Sequence, residues 1–235
     1  MQTVLSPLTK IWFLKQIQLF ADLGVDELKA MGEITRMASV ARHECIYGAG
    51  EPGEHVYLLK AGRIKISRLL PDGRELTLAI LGPGEIFGEV AAMNAGTHES
   101  HAFAMDNAAI CIIRGEDFAA MMAARPALSI RLTKLIGLRL RRFENRIERL
   151  LFKDVSARLA DLLLELADQM GRPAGNDIEL RPGLSHQEMA SLIASTRETV
   201  SLTMGAFRSQ GVVSFDRRSI RILDRGALEV FRAET

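Results

Sequence analysis

Residues 185–213 read SHQEMASLIASTRETVSLTMGAFRSQGVV, and this stretch decides the fold of the C-terminal part of the chain. It parses as two short helices joined by a tight turn. Ser185-His186-Gln187-Glu188 is a capping box, in which the serine side chain accepts from the third helical N–H and the glutamate reaches back to the serine backbone. Met189, Ala190, Leu192 and Ile193 supply the buried face of the first helix. The second helix starts after Ser195 or Thr196, and the choice matters for Glu198. With Ser195 as the cap, Glu198 takes the third helical position and has a structural role. With Thr196 as the cap, it takes the second position and is free to meet a base. Val200, Met204 and Phe207 recur at spacings of 4 and 3 and are expected to face inward. Arg197, Glu198, Ser201 and Arg208 then lie away from the core. An arginine can donate twice to guanine O6 and N7, and a glutamate can accept from cytosine N4. The start of the second helix is the end that enters the DNA major groove. A purely structural helix has little use for adjacent Arg and Glu there, so the reading is sequence-specific DNA binding.

The flanks agree. Ile178–Leu180 reads as a short strand before the two helices, and 215–223, FDRRSIRIL, as a hairpin with Asp216, Arg217 and Arg218 near its turn. Two helices and a hairpin make a winged helix. Ser156 is expected to cap a preceding helix whose Leu159, Leu162, Leu163 and Leu166 face a core, and 171–176 is expected to be a loop. From Lys153 onward there are 11 Lys and Arg against 12 Asp and Glu, a net of −1. Positive charge is therefore local: Arg197, Arg208, Arg217, Arg218 and Arg221 outnumber Glu198 and Asp216 between 197 and 221. Phosphate binding needs a positive face, not a basic domain.

Upstream, residues 36–114 read as β-structure. Nine of the 19 glycines (48, 50, 53, 62, 73, 82, 84, 88 and 96) fall here at the spacing of strand turns. Leu76, Leu78 and Ile80 alternate with Glu75, Thr77 and Ala79, and Pro71-Asp72-Gly73 is a hairpin turn. Many short strands with regular turns suggest a barrel or sandwich. From about 116 to 151 the period becomes helical, with Pro126 at a helix start. Ile136, Leu140, Phe143, Ile147 and Leu150 form a 4-3-4-3 seam on an otherwise charged helix, which predicts pairing with a second copy. Trp12, Phe13, Ile17 and Phe20 indicate an N-terminal amphipathic helix on the body.

Composition sets outer bounds. The chain has 235 residues, 48% hydrophobic and 25% charged, with a net charge of +1, which are ordinary globular values. No apolar run approaches the ~18 residues of a membrane span, and the N-terminus does not read as a signal peptide. The two cysteines, Cys45 and Cys111, read as buried reduced thiols and cannot form a disulfide framework or a four-cysteine cluster. The expected location is the cytoplasm, with no membrane partner.

On these residues the chain resembles the Crp–Fnr superfamily of bacterial transcription regulators, over nearly its full length. The most specific match is HQEMASLIASTRETVS at 186–201, with its Arg-Glu-Thr-Val core. GEPGEHVYLLKAGRIKIS (50–67) and LLPDGRELTLAILGPGEIFGEVAAM (69–93) match the family's β-roll. The resemblance implies an α+β chain: an N-terminal double-stranded β-helix like the cyclic-nucleotide-binding roll (1–125), a long dimerisation helix (126–152) and a C-terminal winged helix-turn-helix (153–235). It implies a homodimer on a pseudo-palindromic double-stranded operator, with Arg197 and Glu198 reading bases and RNA polymerase as a partner. Thr196, Ser185, His186, Gln187, Ser201, Arg208, Arg217 and Arg218 complete the expected DNA-binding surface, and no enzymatic activity is expected. Two departures stand out. Leu202 stands where the cyclic AMP receptor has a second base-reading arginine. Ala194 stands where the turn usually has glycine, which is acceptable if its φ stays negative.

The effector pocket implied by the resemblance comprises Gly88, Glu89, Glu99 and Ser100. Cyclic-nucleotide-binding members carry Gly-Glu and then Arg-Ser. Here Glu99 replaces that arginine and would repel a phosphate. Phe143-Glu144 replaces the adenine-facing pair of the dimer helix. Cyclic AMP binding by the usual mode is therefore not expected, and another small-molecule effector is left open. His98 and His101 read as solvated loop histidines, so no metal or cofactor is expected. The alternative is a metal- or haem-dependent sensor or enzyme on a cupin-like barrel using those two histidines. Phe152-Lys153-Asp154 is a candidate hinge.

Overall fold

A computed structural model describes residues 7–73, 75–175, 177–216 and 219–233; for residues 7–9, 146, 149 and 150 it describes the backbone only. The chain divides into two compact units, Met1–Leu140 and Arg141–Thr235. No helix among the described residues is long and apolar enough to cross a membrane.

The first unit opens with α1 (Pro7–Gln16), a 3-10 turn (Gln18–Phe20) and α2 (Val25–Ile34). Two antiparallel sheets follow. β1 (Thr35–Val40), β8 (Ala108–Arg114), β3 (His55–Ala61) and β6 (Ile86–Phe87) form one, in that order. β2 (Cys45–Tyr47), β7 (His101–Ala104), β4 (Ile64–Leu69) and β5 (Glu75–Leu81) form the other. This is the β-roll, and Leu59, Ile64, Leu81, Phe87 and Ile110 fill its interior. A second cluster joins Phe13, Leu14, Phe20, Leu58, Phe118 of α4 (Gly115–Ala124) and Leu128 and Leu132 of α5 (Pro126–Phe152). Each such fully buried side chain contributes roughly 1.5–3 kcal/mol relative to exposure. Two sequence expectations fail here. Trp12 points outward and is 64% exposed, while Phe13 and Leu14 bury. Cys45 is exposed and only Cys111 is buried, because the β2–β7 register shifts between Cys45 and Tyr47, so the two do not share a face and only Tyr47 meets the core.

A short helix, α3 (Glu89–Met93), interrupts the segment that reads as β-structure in the sequence. It is set by Gly88, whose φ of 79° is left-handed and whose missing Cβ would stand 2.8 Å from the Tyr57 ring. The Gly-Glu pair thus has a local reason: the glycine turns the chain and aims Glu89 inward.

The second unit holds α6 (Val155–Met170), β9 (Arg172–Ala174), β10 (Asp177–Leu180), α7 (His186–Leu192), α8 (Arg197–Ser209), β11 (Val213–Phe215), β12 (Ile220–Ile222) and α9 (Arg225–Ala233). Its antiparallel sheet runs β11-β12-β10-β9. Leu159, Leu163, Leu180, Met189, Val200, Met204, Phe207, Ile222 and Leu228 form one core. Three local readings are corrected. Asp154, not Ser156, caps α6: it has extended backbone and its Oδ1 accepts from the Ala157 N–H at 2.7 Å. Residues 172–174, expected in a loop, pair with β10 as a strand, with Ile178 opposite Pro173. The C-terminal α9, whose Leu228 is fully buried, is an element that the sequence reading lacks.

Candidate nucleic-acid interface

The capping box forms as read. The Ser185 N–H donates to Glu188 Oε2 at 2.7 Å, and the Glu188 N–H donates to Ser185 Oγ at 3.2 Å. For α8 the open choice resolves to Thr196, whose Oγ1 accepts from the Thr199 N–H at 3.2 Å. Glu198 therefore occupies the second helical position and is exposed beside exposed Arg197. Val200, Met204 and Phe207 are fully buried, whereas Ser201, Leu202 and Arg208 face out.

The surroundings of these side chains are ordered. Ser201 Oγ donates to the Arg197 carbonyl at 2.9 Å, so it can accept from His186 Nδ1, 2.8 Å away. This link ties the start of α7 to α8, and the Ser201 proton is already used. Gln187 is exposed one residue on. The Arg208 guanidinium lies 5.3 Å from the Phe215 ring centroid, and the His186 ring meets Phe215 edge-on at 5.9 Å. At the hairpin, Asp216 Oδ1 accepts from the Ser219 N–H at 2.8 Å. Arg217 and Arg218 lie outside the described residues.

The turn between the helices overturns one expectation. Ala194 has φ 48°, not a negative φ. The reason is the way α7 ends: the Ser195 N–H donates to the Ala190 carbonyl at 2.9 Å, the closure of a Schellman motif, which requires a left-handed residue between. Arg158, from α6, donates to the Ile193 carbonyl and approaches the Ala194 carbonyl at 3.4 Å. Sequence reasoning missed Arg158. It lies opposite the apolar face of α6, and nothing in the neighbouring sequence ties it to the distant turn.

In the roll, the residues expected to form an effector pocket come together. Gly88, Glu89, Glu99 and Ser100 line one cavity of about 630 Å3, with Tyr47, Phe87, His98, Arg68 and Arg139 also on its walls. Glu89 is buried, and its Oε1 accepts from Arg139 of α5 at 2.8 Å. Arg139 also donates to the Ile86 carbonyl. Burial pushes the Glu89 carboxyl above its ordinary value, and Arg139 opposes that rise. Glu99 is exposed and pairs with Arg68 at 2.8 Å. His98 is not a solvated loop histidine. It is buried, stacked on Tyr47 at 3.6 Å between ring centroids and 8° between planes, and burial lowers its pKa. His101 Nδ1 accepts from the Ala49 N–H at 3.3 Å. Among the described residues no group of three or more His, Cys, Asp and Glu side chains could hold a metal.

On α5, Ile136, Leu140, Phe143 and Ile147 are 40–55% exposed, unusual for a row of large apolar side chains. The Leu150 side chain lies outside the described residues.

The family description "Cyclic nucleotide-binding domain" matches residues 37–125, and "Crp-like helix-turn-helix domain" matches residues 157–231. The chain is 30% identical over 206 residues to a CRP-like cAMP-activated global transcriptional regulator of Mycobacterium tuberculosis, covering 88% of this chain and 92% of that protein. It is 30% identical over 183 residues to the global nitrogen regulator of a Nostoc species, covering 77% and 82% respectively. Among solved structures, a CRP-family transcriptional regulator from Thermus thermophilus superposes with a TM-score of 0.71 at 31% identity, covering 84% of this chain and 97% of that one.

Proposed function

The chain belongs to the Crp family of DNA-binding transcription regulators, and from that premise we propose that it acts as a homodimer that reads a pseudo-palindromic operator through the first turn of α8. The observation that carries this reading is the pair Arg197 and Glu198, exposed side by side behind the Thr196 cap. The guanidinium donates to guanine and the carboxylate accepts from cytosine. Arg208, Arg217 and Arg218 neutralise phosphates, while Ser185, His186, Gln187 and Thr196 fix the register against the backbone and Ser201, its proton held by the Arg197 carbonyl, acts by orienting His186. Two recognition helices enter major grooves about one helical turn, ~34 Å, apart.

The functional division is a sensor domain (1–125), a dimerisation helix (126–152) and a reading domain (153–235). The seam Ile136, Leu140, Phe143, Ile147 and Leu150 joins two copies. The cavity around Glu89 takes a small-molecule effector that is not a cyclic nucleotide held in the usual way, since Glu99 stands where a phosphate-binding cation is required. Binding there biases the segment 152–154 between two arrangements of the reading domain. The protein works in the cytoplasm with RNA polymerase as its partner.

The test is in-vitro selection from random duplexes with the full-length protein and no added small molecule. Enrichment of an inverted repeat with half-sites one helical turn apart is the expected result. Enrichment of a single unrepeated motif, or none with and without added cyclic AMP, refutes the reading.

A further inference from the structure

Leu202 is the most exposed large hydrophobic side chain among the described residues, at 76%. It does not sit on a loop or a frayed end. It lies in the middle of α8, one turn after Glu198 and beside Ser201, on the face opposite the buried Val200 and Met204. An apolar group exposed on the same helix as Arg197, Glu198 and Ser201 complements a surface that offers hydrogen-bonding atoms beside a hydrocarbon group. The floor of the DNA major groove is such a surface, and the thymine C5-methyl is its one apolar projection. A second feature of the helix agrees. Gly205, one turn beyond Ser201, has nothing within 4 Å of where a Cβ would stand. The fold therefore does not need a glycine there, although glycine inside a helix is less stable than alanine. A bare backbone on this face permits close approach to a partner.

We propose that Leu202 is a specificity-determining residue that reads a thymine through its methyl group. The proposal rests on the reading of α8 as the recognition helix given above. The four residues from Glu198 to Leu202 advance about 6 Å along the helix, just under two base-pair steps of ~3.4 Å. The thymine therefore lies within two base pairs of the pair that Glu198 meets. Direct apolar contact replaces hydrogen-bond readout at that position, and the site distinguishes T·A from the other pairs by shape and hydrocarbon burial.

The test uses full-length protein and the duplex obtained by in-vitro selection. Each thymine of the half-site is replaced in turn by uracil, which removes only the methyl group, and affinity is measured by fluorescence anisotropy at fixed salt. For the natural sequence, uracil at one position weakens binding about fourfold per half-site, the worth of one buried methylene. Leu202→Ala binds the thymine and uracil duplexes equally. Leu202→Arg, re-selected, shifts that one position toward guanine and leaves the rest of the half-site unchanged. The inference is overturned if no uracil substitution weakens binding, or if Leu202→Ala keeps the thymine preference. Failure of the underlying reading looks different: no defined half-site emerges, or Arg197→Ala binds it unchanged, and this inference falls with it. A defined, Arg197-dependent half-site indifferent to every thymine methyl overturns the Leu202 assignment alone.

Discussion

The guanidinium of Arg158 donates to the carbonyl of Ile193, so α6 holds the very turn from which α8 departs. The carbonyls at the end of α7 have no partner in their own helix, and the adjoining Ala194 is in a left-handed conformation. That conformation costs a non-glycine residue roughly 1–2 kcal/mol, against the roughly 0.5–1 kcal/mol by which glycine is entropically disfavoured. Ala194→Gly is therefore expected to stabilise the second unit by up to about 1 kcal/mol. Arg158→Met, which deprives half-buried carbonyls of a charged donor, is expected to destabilise it by about 1–3 kcal/mol. Hydrogen-exchange protection of α7 and α8 amides in the full chain measures both. Equal protection in Arg158→Met and the natural chain would show that Arg158 does not hold the turn.

The Arg139–Glu89 pair gives the first unit a defined pH response. Glu89 holds its proton more tightly in the folded chain than in the unfolded one, first because it is buried, with Arg139 pulling the other way. A carboxyl raised on folding destabilises the fold as pH rises through the window above its ordinary value. Arg139→Met removes the opposing charge, so the window extends upward. The variant's melting temperature, measured against the natural chain, is expected to fall more at pH 8 than at pH 5. Adding Glu89→Gln to Arg139→Met abolishes that difference. A pH-independent loss in Arg139→Met would show that Glu89 is not ionised in that window.

Much of the architecture is written in period and capping. The 4-3 spacing of Val200, Met204 and Phe207 and the Ser185–Glu188 box each use one local rule, and the chain obeys it. In 75–81 the alternation marks the strand but not its inner face: Thr77 and Leu81 are buried, while Leu76, Leu78 and Ile80 stay half-buried. What escaped is non-local. Thr196 and Ser195 offer the same cap chemistry, and only the backbone path decides between them. The φ of Ala194 follows from how α7 ends, not from alanine's own preference. Arg158 and Arg139 are recognisable only once the distant carbonyls of Ile193 and Ile86 stand beside them. His98 looks like a loop histidine in THESHA until Tyr47, 51 positions earlier, stacks on it. Regular alternation would bury Cys45 with Tyr47; the register shift between them, which the sequence does not announce, leaves Cys45 exposed.

That exposure sets a chemical prediction. Burial pushes the Cys111 thiol up to about 11, while Cys45, raised less by burial and by Glu51, faces solvent. The thiolate is the reactive form. Iodoacetamide at pH 8 is expected to modify Cys45 alone in the folded chain, slowly for an exposed thiol, and Cys111 only after unfolding. Mass spectrometry of the peptides decides it, and early modification of Cys111 contradicts the packing of β8.

The exposed row on α5 leads to a test of assembly. Phe143→Glu places a charge in the middle of the Ile136–Ile147 seam, where pairing would desolvate it. The dimer dissociation constant by sedimentation is expected to rise at least about tenfold, which corresponds to about 1.4 kcal/mol. Circular dichroism stays unchanged because the side chain is 43% exposed in the single chain. An unaltered oligomeric state places the dimer contact elsewhere.

Substitutions on α8 separate the two kinds of DNA contact proposed for it. Arg197 stands exposed in the first turn, where its guanidinium can reach a base edge. Arg197→Ala is expected to weaken the selected site by about 1–3 kcal/mol and to relax preference at one base pair, with non-specific affinity nearly unchanged. Arg208 lies against Phe215, a side chain of the wing strand β11, and its proposed role is to meet a phosphate. Arg208→Ala is expected to weaken selected and random duplexes alike and to lower the slope of log K against log salt by about 1. Anisotropy titrations at several salt concentrations, on both duplexes, read the two signatures together. If Arg197→Ala produced the uniform, salt-linked loss instead, its guanidinium would be gripping the backbone, and the base-reading role would pass to Glu198 and Leu202.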